Sequence, residues 1–324
     1  MSRALPKFSD LPLNKGDPPH SAWGVYGSDD ELGTINRLTD DVVMRAKEEI
    51  QRGVRISLNL PLNAQRGSML VGRSKFHMDQ YNKAPRIVND DVWTFNSQTS
   101  TQWDGLRHYA YQKEAKFYNG VTLDDIFGEN RTLVNGIQAW EEKGIVGRGV
   151  LLDFDRWRRA NNVEYRPLVG NRDAITLDHL KAVARSQGTE IKFGDILIIR
   201  TGFTVAYNKL TDDEITQMMS VPVNGGQASG VEQSDAMLEW LWDSFSAVAS
   251  DNPTFERWPS TTANLNHEIL LSGWGMPIGE WFNLENLADH CEKVGRWSFF
   301  VASEVCNVPG AVARYICSRS ITKT

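Results

Sequence analysis

Hydrophobic and polar positions follow two periods along the chain, and the periods interleave. Residues 54–62 (VRISLNLPL) alternate with period two and predict a strand. Residues 147–154 (GRGVLLDF), 245–250 (FSAVAS), 276–281 (MPIGEW) and 297–303 predict further strands. The run 194–202 (GDILIIRTG) is continuously apolar at its centre, which predicts a strand buried on both faces. Between these runs the spacing becomes helical. Thr39, with Asp40 and Asp41 behind it, predicts a helix start, and that helix continues to about Arg52 before Gly53. Thr176 predicts another, with Leu177, Leu180, Val183 and Ala184 on its buried face and Gly188 after it. Thr211 with Glu214 makes a capping box. Helices are also expected from Thr122, over 135–143, 233–243 and 263–271, and from Asn283 to Lys293.

Strands alternating with helices, with no repeats or low-complexity linkers, predict an α/β fold without an internal domain boundary. Residues 1–22, rich in Pro and polar residues, read as an extended N-terminal arm, so the expected division is 1–22 arm and 23–324 domain. Residues 63–92 are polar and irregular, contain Arg66, Arg73, His77 and Arg86, and suit a lid or entry loop.

A length of 324 residues with 41% hydrophobic and 23% charged content fits a globular protein with a sizeable core. The net charge of −6 and the lack of any long Lys/Arg run argue against a nucleic-acid partner. No stretch approaches a membrane span, the first residues lack the apolar centre of a signal peptide, and the last are no peroxisomal tail, so the expected location is cytoplasmic. Cys291, Cys306 and Cys317 have no Cys-x-x-Cys spacing and sit in apolar segments, which predicts buried free thiols.

The chemistry concentrates in residues 96–109, NSQTSTQWDGLRHY. If the centre is strand-like, Gln102 and Asp104 share a face, and Gly105 lets the chain turn so that His108 returns to it. Two amides including Gln98, a carboxylate and an imidazole suit a hard metal ion or an acid–base pair. Of the six histidines, His20 lies in the arm, His179 and His290 read as helix-surface residues, and His77 lies in the polar loop. His267 joins His108 beside polar, Gly-flanked turns. Glu280 and Asp251 each end an apolar run, where a carboxylate needs a cation or hydrogen-bond donors, or caps a turn.

These residues resemble the cyclase family of metal-dependent hydrolases, which includes kynurenine formamidases and isatin hydrolases. The family motif His-x-Gly-Thr-His-x-Asp-x-Pro-x-His aligns with Gln98 to His108: Thr101, Asp104 and His108 match, Gln98 and Gln102 replace the two leading histidines, and Ser100 and Leu106 stand for the Gly and the Pro. His267-Glu-Ile-Leu-Leu and the following Gly-Met-Pro-Ile-Gly-Glu280 resemble the second block. The resemblance implies a swivelling β/β/α fold and a homodimer or larger oligomer. It implies metal ligands Asp104, His267 and Glu280, with Gln98 or Gln102 adding an amide oxygen, and argues against a two-zinc centre.

Amide oxygens in place of imidazoles harden such a site, favouring Mn²⁺ over Zn²⁺, and weaken it enough that metal can be absent. The implied catalytic set is His108 as general acid/base on a metal-activated water, with Asp104, and with Thr101 or Gln102 holding the oxyanion. Trp23, Tyr26, Gln98, Trp103, Tyr109 and Trp274 are candidates for the wall of a substrate pocket. The expected reaction is hydrolysis of a small cyclic or aromatic amide, formamide or lactone. The alternatives are a metal-independent cyclase, lyase or lactonase, in which His108 or His267 is a general base, and a degenerate member that binds without catalysis.

Overall fold

The continuous apolar runs form the middle of one mixed sheet. A computed structural model describes residues 5–51, 53–66, 73–220, 226–263 and 265–322. Its strands are β1 (Val54–Ser57), β2 (His77–Asn82), β3 (Asn89–Thr94), β4 (Gln102–Asp104), β5 (Ile145–Leu152), β6 (Ala174–Ile175), β7 (Asp195–Ile199), β8 (Gly230–Val231), β9 (Phe245–Ser250), β10 (Ile278–Glu280), β11 (Ser298–Val305) and β12 (Ala313–Thr322). Its α-helices are α1 (Asp40–Ala46), α2 (Leu123–Phe127), α3 (Gln138–Glu141), α4 (Phe154–Ala160), α5 (Leu177–Ser186), α6 (Phe203–Asn208), α7 (Asp212–Met219), α8 (Asp235–Ser244) and α9 (Glu285–Val294).

The main sheet has the order β1-β12-β11-β5-β7-β9-β10-β4, and β4 also pairs with the start of β12, so the sheet closes on itself. Strands β5, β7, β9 and β10 run parallel to their neighbours in this set. All five residues of β7 are buried, as a strand covered on both faces must be. Helix α5 buries the four predicted residues Leu177, Leu180, Val183 and Ala184, and Thr176 caps it. The fold is a single mixed α/β domain. Among the described residues no helix is long and apolar enough to cross a membrane.

The N-terminal segment lies on the chain's own core. Phe8 packs edge-on against Trp274, and the Trp242 Nε1 donates to the Pro6 carbonyl at 2.9 Å. The Tyr111 hydroxyl donates to the Pro19 carbonyl at 2.8 Å.

Several elements differ from the sequence expectation. Helix α1 stops at Ala46 and tightens into a 3₁₀ turn at Lys47–Glu49; Arg52 lies outside the described residues. Strand β1 ends at Ser57, short of the expected 62. The stretch read as irregular contains the hairpin β2–β3, which a burial-based pattern misses because β2 is exposed along its whole length. Strand β12 lacks an apolar run because polar groups are paired inside the sheet, as with the Ser303 and Ser318 hydroxyls at 2.6 Å. Helix α9 begins at Glu285 without a side-chain cap from Asn283. Cys291 is buried, but Cys306 is exposed; the side chain of Cys317 lies outside the described set.

Trp103 is fully buried where β4 crosses the closed sheet. Trp103→Ala is expected to cost about 3–5 kcal/mol in denaturant unfolding. Trp93→Ala, on the exposed hairpin, should stay within about 0.5 kcal/mol of wild type.

Candidate active site

Strands β4 and β10 place the first polar groups. Their antiparallel register sets Asp104 opposite Ile278, Trp103 opposite Gly279, and Gln102 opposite Glu280. Opposed residues, and residues two apart, project to one face, so Gln102, Asp104 and Glu280 share it. There the Gln102 Nε2 donates to the Glu280 Oε2 at 3.1 Å. Trp103 takes the other face, where its Nε1 donates to the Ser303 Oγ at 2.8 Å and its ring meets Phe282. Gly279 leaves room for that ring; a Cβ there would come within 2.9 Å of it and 2.6 Å of the Ala249 Cβ.

Gly105 brings His108 back, by close approach rather than by unusual backbone angles. Its N–H donates to the Val312 carbonyl at 3.0 Å, and a Cβ would sit 2.7 Å from that oxygen. The His108 N–H then donates to the Gly105 carbonyl at 3.0 Å, closing a turn. The His108 Nε2 lies 3.9 Å from the Asp104 Oδ2, and its Nδ1 lies 3.1 Å from the Gln98 Nε2. Arg73 donates to the Gln98 side-chain Oε1 and, at 3.3 Å, to the Gln98 backbone carbonyl.

His267 arrives between β9 and β10, immediately before a π-helical turn at Glu268–Gly273. Such turns are rare and recur at functional sites. Glu256 fixes His267 in place: its Oε1 accepts from the His267 N–H and from the His267 Nδ1, both at 2.7 Å. Its Oε2 accepts from the Asn266 N–H at 2.8 Å and the Gln233 Nε2 at 2.6 Å. The His267 Nε2 therefore points inward, 3.4 Å from the Glu280 Oε1 and 3.8 Å from the Asp104 Oδ2. The Tyr109 ring lies 5.7 Å from the His267 ring and lines the site.

Charge in this chamber is strongly coupled. Burial, joined by the like charge of Asp104, raises the Glu280 pKa to about 7. Burial opposes ionisation of Asp104 too, but His108 and His267 outweigh it and hold its pKa below the usual value. Burial alone would lower His267; the surrounding Asp104, Glu256 and Glu280 raise it well above the ordinary imidazole range. For His108 burial prevails over Asp104, and its pKa falls.

The donor set fits a divalent cation. Asp104 is 0% exposed, and among the described residues neither of its carboxylate oxygens has a hydrogen-bond partner. The Gln102 Oε1 is also buried without one. Orphaned oxygens beside a second carboxylate and an inward-facing imidazole nitrogen are what a hard ion satisfies. Ligand atoms of Asp104, His108 and His267 lie within 4.8 Å of one another, with Glu280 reaching the same His267 nitrogen. The Glu256–His267 pair has the form in which a carboxylate orients a metal-binding imidazole.

Other expected site residues lie elsewhere. The Thr101 Oγ1 donates to the Trp281 carbonyl at 2.6 Å and accepts from the Leu60 N–H at 2.8 Å, so it clamps two segments and has no hydrogen left for an oxyanion. Trp274 is buried against Trp242 and donates to the His20 carbonyl; Trp23 donates to the Ser272 carbonyl; the Tyr26 hydroxyl accepts from Arg37. Trp23, Trp103 and Trp274 belong to the core, Tyr26 is half-buried, and Tyr109 alone of the five proposed aromatics faces the imidazoles. Asp251 is buried and accepts from the Thr201 and Gly202 N–H groups at 2.6 and 3.0 Å, so it holds the chain ahead of α6 rather than capping the turn at Asn252-Pro253. His77 is exposed. His179 is not a free surface group: it accepts from the Thr176 N–H at 3.3 Å and packs beside Phe154 and Trp157.

Glu256 and the role of Arg73 were missed from the sequence. The available signal for Glu256 was a carboxylate between Phe255 and Trp258, eleven residues before His267. Arg73 stood among other arginines in a polar stretch with no distinguishing neighbour.

The fold and site define a mixed α/β protein with a buried carboxylate–imidazole centre suited to a divalent ion. A family model described as "Putative cyclase" matches residues 39–257, and the chain belongs to this cyclase family. The match includes Gln98 to His108 and Glu256; His267 and Glu280 lie beyond it. Among solved structures the chain is similar to a "novel cyclase" at 28% identity and a TM-score of 0.80, covering 93% of this chain and 99% of that one. The fold is also that of isatin hydrolase A from Ralstonia solanacearum (15% identity, TM-score 0.57, 88% and 98% covered). It is likewise that of an isatin hydrolase bound to the product analogue thioisatinate (14%, 0.58, 86% and 97%). A search of curated proteins gives no match.

Two measurements follow. Glu256→Gln removes the charge behind His267 and should weaken Mn²⁺ binding by about 10–100-fold in calorimetry on folded protein. Since His267 and Glu280 carry raised pKa values, protons compete with the ion. Affinity should therefore climb from about pH 6 to about pH 8 with proton release, and a flat profile would exclude His267 as a ligand.

Proposed function

We propose that this cyclase-family protein is a hydrolase that opens an amide, formamide or lactone bond in a small cyclic or aromatic substrate. The observation that carries this reading is the Asp104 carboxylate, fully buried, with neither oxygen hydrogen-bonded among the described residues and Oδ2 facing two imidazoles. Asp104, His267 and Glu280 would hold a divalent cation, with the Gln102 Oε1 as a neutral donor. Bound there, the cation would supply a polarised carbonyl and water of lowered pKa. The chain's own groups do the rest. Glu256 orients His267, and the Gln102 Nε2 orients Glu280. Tyr109 walls the chamber beside His267. His108, 19% exposed and the most open member of the cluster, meets the substrate oxygen or leaving group at the mouth. The isatin hydrolase likeness supports a cyclic amide as the first substrate to test.

One observation favours a metal-independent reading. The 2.7 Å Glu256–His267 contact, with Asp104 and Glu280 beyond, lets a doubly protonated His267 face all three carboxylates and offset one of their charges without a metal. Elemental analysis after Mn²⁺ or Zn²⁺ loading separates the two readings.

A panel of cyclic amides, formyl amides and lactones, assayed with Mn²⁺, Mg²⁺ and Zn²⁺, tests the proposal. Turnover is expected with at least one metal, and Asp104→Asn should reduce it by about 10³-fold or more. Turnover that survives Asp104→Asn, or a panel inert with every metal, overturns the hydrolase reading.

A further inference from the structure

The pair Arg73–Gln98 stands behind His108, and its chemistry is one-directional. A guanidinium has only donors, so the oxygen of the Gln98 amide must face Arg73. Arg73 also holds the Gln98 backbone carbonyl at 3.3 Å, and the Asn96 Oδ1 accepts from the Gln98 N–H at 2.9 Å. The amide nitrogen is left facing the His108 Nδ1 at 3.1 Å, and that nitrogen carries hydrogens only. The His108 Nδ1 must then present its lone pair. That arrangement would put the ring hydrogen on Nε2, whose nearest carboxylate oxygen is the Asp104 Oδ2 at 3.9 Å.

We infer that Arg73 and Gln98 are positioning residues that lock His108 as the neutral Nε2–H tautomer, making it a fixed hydrogen-bond donor to the substrate oxygen. This deepens the role of His108 in the proposed reaction and rests on that reading only for the identity of the acceptor. Three consequences are chemical. A ring with hydrogen on Nε2 cannot take a proton there, so His108 is not the general base. It cannot shuttle a proton either: giving up the Nε2 hydrogen would leave an imidazolate, because Gln98 has no proton to lend to Nδ1. Nor does its Nε2 ligate a cation, which leaves Asp104, His267, Glu280 and Gln102 for that task even though His108 lies within 4.8 Å of two of them. The acid–base role expected from the sequence needs both ring nitrogens free to exchange protons, and the amide blocks one.

The test is spectroscopic and needs no substrate. Long-range ¹H–¹⁵N correlation on the ¹⁵N-histidine-labelled full chain, with the His108 signals assigned by their loss in His108→Gln, reads the tautomer directly. The wild type should show His108 as Nε2–H. Gln98→Glu keeps an oxygen for Arg73 and turns the other toward the ring, so the hydrogen should move to Nδ1. The freed Nε2 should then tighten Mn²⁺ binding by about tenfold or more in calorimetry. Arg73→Met frees the amide to rotate and should give a tautomer mixture. An Nδ1–H or doubly protonated His108 in the wild type near neutral pH overturns the inference, as does a tautomer unchanged in Gln98→Glu. If Gln98→Glu fails to fold, the wild-type and Arg73→Met spectra decide it. Loss of the tautomer lock would leave the hydrolase reading standing, whereas an inert substrate panel would remove that reading and leave the lock intact.

Discussion

Two carboxylates, Asp104 and Glu280, are buried side by side, with the His267 imidazole and the Gln102 amide turned toward them. Taking an ionised carboxylate out of water costs several kcal/mol unless it is paired, and a second one nearby adds repulsion. The structure meets this with His267, held from behind by Glu256, and with the Gln102 amide on Glu280. Among the described residues it leaves both oxygens of Asp104 without a hydrogen-bond donor. A hard cation would meet that residual demand.

The sheet makes the chamber possible. Strand β4 is only three residues long, yet it pairs on both edges, with β10 and with β12, and closes the barrel-like sheet. Its period-two alternation splits the sequence Gln102-Trp103-Asp104 between two environments: polar ends in the site, indole in the core. Stability and chemistry are thus carried by adjacent residues on opposite faces. The cross-strand glycine opposite Trp103 is part of the same device, because a side chain there would displace the ring.

The two glutamines take different parts in the site. Gln102 braces Glu280 and offers a neutral oxygen; Gln98, gripped by Arg73, turns away from the centre and addresses His108 instead. The same residue type thus takes two roles, set by which partner owns its oxygen.

Much was legible from the chain alone. The α/β class, the buried strand β7, the face of α5 and the shared face of Gln102 and Asp104 follow from periodicity, because residues two or four apart have their relative direction set by local backbone geometry. The gathering of Asp104, His267 and Glu280 was read through family resemblance. No local rule brings residues more than 150 positions apart to one point. Only the tertiary structure decided that Glu256 stands behind His267, that Arg73 reaches Gln98, and that Trp23, Trp103 and Trp274 serve the core. The physical reason is the same in each case. A hydrogen bond or a packed ring is assigned by its three-dimensional neighbours, and those neighbours come from segments whose sequence carries no mark of the meeting.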